Sequence, residues 1–219
     1  MRRIILIIAA LVVAPTLYGQ NIPQYRNDAV ELSAEYKQGN AFQQDLLLYA
    51  DMLSSTHPYY ADAKHRKGLE RRVRKVYKEC GKIEDVADFK LTLARLAASL
   101  GDGHTAISYW SNLERIFPVR LSLDINQPAI VDVTSEEHRA LLGKEVKAVN
   151  GRPLTKILRS AREIVSADND VNFLNLVKEY LMFAEFWSFL DMSDERLTLT
   201  FADGSSAEVE AINKRELRI

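Results

Sequence analysis

Residues 99–105 read SLGDGHT. They set one imidazole, His104, just past an apolar helical run, where Gly101 and Gly103 let the backbone turn sharply and Asp102 can orient or charge-stabilise the ring. A histidine held this way can serve as a general base that takes a proton from a hydroxyl nucleophile. The same spacing also suits a structural histidine in a helix-to-strand turn, and spacing alone favours that plainer role. A base needs a group to activate. Ser99 and Ser108 are close to His104 in sequence, but neither sits on an exposed elbow of the kind that presents a nucleophile.

Other chemistry is sparse. Cys80 is the single cysteine, so it makes no intramolecular disulfide, and it falls near the C-terminus of a helix, the dipole end that disfavours a thiolate. An inert thiol is expected. His57, His65, His104 and His138 contain no i, i+4 pair and no HExxH pattern, so the sequence calls for no metal and no cofactor. His57 before Pro58 closes a helix, and His138 is an exposed loop or helix-start residue. The basic run KHRKGLERRVRKVYK at 64–78 reads as a solvated helix face, since one side of that helix is apolar and Tyr77 alone offers a stacking ring.

The totals bound what these residues serve. The chain has 219 residues, 29 basic against 30 acidic, so no nucleic-acid partner is implied. It opens MRRIILIIAALVVAPTLYGQ, two arginines before an unbroken apolar stretch at 4–14, which reads as a secretory signal spanning 1–20. The stretch falls short of the roughly 20 apolar residues a bilayer span requires. Export to the cell envelope, the periplasm or the exterior follows, with no stable span after cleavage and no cysteine nearby to carry a lipid.

Helical spacing recurs at 41–55 (Phe42, Leu46, Tyr49, Leu53), at 64–79 (Leu69, Val73, Val76, Tyr77) and at 85–100 (Val86, Phe89, Leu93, Leu96), where Asp85 caps the start. The period then changes to two. Phe117, Val119, Leu121, Leu123 and Ile125 alternate in one strand, and residues 130–133 make a second. Val146 and Ala148 lead to Asn150-Gly151, a pair suited to a tight turn, and Pro153 opens a helix. One long helix is expected over 170–190, then a hairpin from Leu197, Leu199 and Phe201 through FADGS to Val209 and Ala211. The fold class is α+β, an N-terminal helical bundle followed by a small mixed strand-and-helix domain, with the change near residues 106–116.

The order of these parts resembles the N-terminal half of the C-terminal-processing and tricorn-like group of serine peptidases. The likeness lies in the helix ending His-Pro, the helix closing in LGDGHT, the strand from Phe117-Pro118, then LLGKEVKAVNGRPLTKIL, SADN and FADGS. It implies a helical N-terminal domain at 21–112 and a PDZ-like peptide-binding domain at 113–219, with Gly143, Val146, Asn150 and Gly151 in its strand-and-turn signature. It further implies that His104 is the general base of the tricorn-like branch, acting on protein or peptide substrates. In that group the nucleophilic serine and its oxyanion hole lie in a later α/β domain that is not encoded in these 219 residues. The chain alone is therefore expected to be inactive, either a portion of a larger secreted peptidase or a stand-alone envelope module that binds peptides without cutting them. A helical scaffold whose likeness is accidental is the third reading.

Overall fold

The computed structural model describes residues 39–107 and 113–216. The expected secretory segment and Ser108 lie outside the described residues. The fold is α+β, helices first and strands after, and the chain divides into two compact units between Leu96 and Ala97. Among the described residues no helix is long and apolar enough to cross a membrane.

The first unit is helical. Helix α1 (Ala41–Thr56) starts at a reciprocal capping box, in which the Asn40 side chain accepts from Gln43 N–H at 2.9 Å and Gln43 Oε1 accepts from Asn40 N–H at 2.9 Å. It stops at His57, whose extended backbone is what Pro58 demands of the residue before it. A 3-10 turn leads to Asp62, which caps α2 (Ala63–Cys80) by accepting from Lys64 and His65 N–H. Helix α3 (Val86–Ala98) follows, with Asp85 accepting from Asp88 N–H at 2.9 Å. Leu46, Leu69, Phe89 and Leu93 are all 3% exposed or less, so the predicted stripes do form the core.

Cys80 is buried at the end of α2. Burial, helped by the charge of Glu79, pushes its thiol up to about 11. Two consequences follow. At neutral pH Ellman's reagent should modify the folded chain about 100-fold more slowly than the chain in denaturant, because the thiolate fraction is lower by that factor. As pH rises from about 9 toward 11 the unfolded thiol ionises while the folded one keeps its proton, so stability should fall across that window. Equal reaction rates in the two states would contradict the assignment.

The second unit carries the strands. Strand β1 (Arg115–Ile116) is followed by the hairpin of β2 (Val119–Ser122) and β3 (Ile130–Thr134), and then by β4 (Val146–Val149) and β5 (Arg152–Pro153). Helices α4 (Leu154–Arg162), α5 (Asp170–Tyr180) and α6 (Ala184–Ser188) precede β6 (Arg196–Phe201), β7 (Ser206–Glu210) and β8 (Ile212–Asn213). An antiparallel sheet runs β5-β4-β6-β7, and β8 returns to pair with β1. The β2–β3 hairpin is tied to the entry of β4 by Val131 N–H to Lys144 O at 3.0 Å and Val146 N–H to Ala129 O at 2.8 Å. At the Asn150-Gly151 turn both residues have positive φ, 48° and 72°, and the Asn150 side chain accepts from Thr198 N–H at 2.6 Å.

Two sequence expectations are corrected here. The first strand does not run from Phe117 to Ile125: Pro118 interrupts it, β2 ends at Ser122, and Ile125 is exposed. Nor is there one helix over 170–190. The backbone of 181–183 leaves the helix to serve β1, because Phe117 N–H donates to Met182 O at 2.8 Å and Ile116 bridges Phe183. Trp187 Nε1–H then donates to Leu181 O at 2.9 Å, and its ring meets Phe117 edge-on at 6.3 Å. Periodicity along one segment carries no record of a strand that takes its carbonyls.

Candidate functional site

The site is the loop after α3. The helix ends with Gly101 N–H bonding to Ala98 O, and Gly101 then takes φ 68°, the left-handed conformation that glycine adopts without strain. Asp102 organises the next three residues. Its carboxylate accepts from His104 N–H at 3.1 Å and from the Thr105 hydroxyl at 2.6 Å, closing an Asx-type turn. His104 Nδ1 lies 3.4 Å from the same carboxylate. Asp102 thus both caps the turn and sits beside the ring. The His104 side chain is 85% exposed and that of Asp102 is 24% exposed.

The loop is fastened from far away in sequence. Asp168, in SADN between α4 and α5, accepts from Gly103 N–H at 2.8 Å and from Asn172 Nδ2 at 3.2 Å. Asn169 caps α5 by accepting from Asn172 N–H, so the segment that holds the loop is itself fixed to a helix start. At Gly103 the constraint is proximity rather than φ. A Cβ there would lie 2.6 Å from Asn172 Nδ2 and 2.7 Å from Asp168 Oδ2.

Ligand atoms of Asp102, His104 and Asp168 lie within 4.8 Å of one another, a group that sequence spacing did not bring together. Both carboxylates already accept hydrogen bonds, Asp102 from the Thr105 hydroxyl and Asp168 from Gly103 N–H and Asn172 Nδ2. The cluster thus sets an outward-facing, solvent-exposed imidazole beside two carboxylates, the kind of side chain that general acid-base chemistry uses. Ser99 is exposed in the turn after α3. The other residues flagged by the resemblance have structural roles: Gly143 has φ 81° and donates to Val131 O, and Val146 is buried in β4.

Among the described residues β2 pairs on one side only, with β3, and α5 lies beside it. Arg120 on β2 forms an ion pair with Glu179 on α5, joining strand and helix across this interval.

No protein-family model matches the chain, and no curated protein matches it in sequence. Solved structures do. The chain aligns with mature CPAF, a chlamydial serine protease, with a TM-score of 0.59 at 16% identity, covering 78% of this chain and 34% of that one. Mature CPAF complexed with lactacystin gives a TM-score of 0.58 at 15% identity over the same shares. A CPAF mutant gives 0.56 at 15% identity. The chain spans about a third of the length of these matches, and what it shares with that serine protease is its fold.

Proposed function

We propose that the chain is the N-terminal, non-catalytic portion of a secreted serine peptidase of the C-terminal-processing and tricorn-like kind, supplying a general base and a PDZ-like region that binds the protein substrate. One observation carries this reading: the outward imidazole of His104 on a loop that Asp168 locks from 65 residues away. Support also comes from the fold shared with a serine protease over 78% of the chain.

In this reading Nε2 of His104 takes the hydroxyl proton of a serine carried by polypeptide outside these 219 residues, as that oxygen attacks the substrate carbonyl. The Asp102 carboxylate, 3.4 Å from Nδ1, orients the ring, and Asp168 is a positioning residue that fixes the loop. The peptide adds to the unpaired edge of β2 beside α5, where main-chain hydrogen bonds give affinity. That edge equally favours a second reading, an envelope peptide-binding module with no catalysis.

A base without a positioned nucleophile or oxyanion donors accelerates little, because these groups act as a unit. Residues 1–219 incubated with an unstructured protein should therefore bind it, shifting the β2 amides of 119–122 in NMR spectra, without hydrolysing it. Turnover that vanishes in His104→Ala would overturn the non-catalytic assignment. Absence of any shift at β2 would overturn the peptide-binding one.

A further inference from the structure

Helix α2 presents the strongest charge in the chain. It carries eight basic residues against Glu70 and Glu79, a net charge of +6 in a protein whose whole balance is −1. Lys64, Lys67, Arg71, Arg74, Lys75 and Lys78 follow the i, i+3, i+4 spacing of one helical face, with no acid among them. All eight cations are exposed, and among the described residues none makes an ion pair. A solvated face would need no more explanation than this. Beside it, however, is a cleft of about 560 Å³ whose floor is apolar, made by Leu47 of α1 with Val73 and Tyr77 of α2. Its rim is formed by Arg71, Arg74, Lys75 and Lys78.

We infer that this cleft binds an acidic polypeptide segment that also carries apolar side chains. Unpaired cations on one face repel one another and attract an anionic partner with little competition from internal carboxylates. The floor decides which partner. A nucleic acid would use stacking rings along the face, and the cleft offers Tyr77 alone. A planar anionic membrane would meet the ridge of charge but leave the recessed floor empty. A peptide that alternates carboxylates with apolar residues fills the floor and neutralises the rim together. The inference concerns α1 and α2 only and does not depend on any role for His104.

The test is fluorescence anisotropy of a labelled peptide alternating glutamate with leucine, added to the full chain. Binding is expected, weakening about tenfold or more as ionic strength rises from about 0.05 to 0.3 M. The variant combining R71E, R74E, K75E and K78E, all at exposed positions, should lose binding while keeping its helical circular dichroism. A peptide with serine for leucine should bind about tenfold less well, since it leaves the floor unfilled. Failure of the glutamate–leucine peptide to bind, equal binding of a lysine–leucine peptide, or unchanged binding by the charge-reversed variant would each overturn the inference. So would equal binding of the serine peptide, which would mean unspecific attraction, or binding to phosphatidylglycerol vesicles without binding to the peptide, which would mean a membrane surface.

Discussion

Trp187→Ala is expected to destabilise the second unit by about 3–5 kcal/mol, the cost of removing a fully buried large aromatic from a core that relaxes only in part. Trp187 is 1% exposed. It packs edge-on against Phe117, itself 0% exposed, and donates to Leu181 O at 2.9 Å. Its removal thus opens a cavity where β1, α5 and α6 meet and leaves a carbonyl of the α5–α6 break without its donor. Chemical denaturation followed by amide exchange in the second unit is the suitable measurement, because two units need not unfold as one. Trp187→Phe should cost less, since a phenyl ring keeps much of the packing and only part of the indole is lost along with its N–H. A loss below about 1 kcal/mol for the alanine variant would show that the site repacks and that this ring does not hold the break in place.

The second large effect concerns the loop. Gly103→Ala should release it, because the added methyl would stand 2.6 Å from Asn172 Nδ2 and 2.7 Å from Asp168 Oδ2. Those side-chain ends can move only by giving up the bonds from Gly103 N–H at 2.8 Å and between Asn172 and Asp168 at 3.2 Å. Each exposed hydrogen bond is worth about 1 kcal/mol, so stability should fall by about 1–2 kcal/mol. The more telling readout is local. Amide exchange at residue 103 should accelerate about tenfold or more, matching what Asp168→Ala does from the other side. The two changes should not add, because they break the same contact. Additive effects, or exchange unchanged in both, would mean that the loop holds itself.

This contact explains how far the sequence was readable. The three N-terminal helices follow from periodicity, because each is amphipathic and its caps at Asn40, Asp62 and Asp85 are local features. The Asn150-Gly151 turn is legible for the same reason. His104 and Asp102 stand out because their partners lie within three residues. Asp168 gives no such signal: its partner is 65 residues away, and in SADN it looks like part of a helix-start loop. Gly101 makes the sharp turn expected of it, with positive φ, whereas Gly103 does not take positive φ and is marked instead by the close approach of Asp168 and Asn172. The break at 181–183 is hidden likewise, since the hydrogen-bond demand comes from Phe117.

Whether His104 stands where a substrate docks can be read directly by mapping diethyl pyrocarbonate modification of the four histidines by mass spectrometry, with and without a saturating unstructured polypeptide. His104, with its side chain 85% exposed, should react fastest in the free chain and become protected, alone among the four, once the polypeptide binds. If the polypeptide binds and His104 reacts as before, the imidazole is a surface feature of a turn and has no part in handling a peptide.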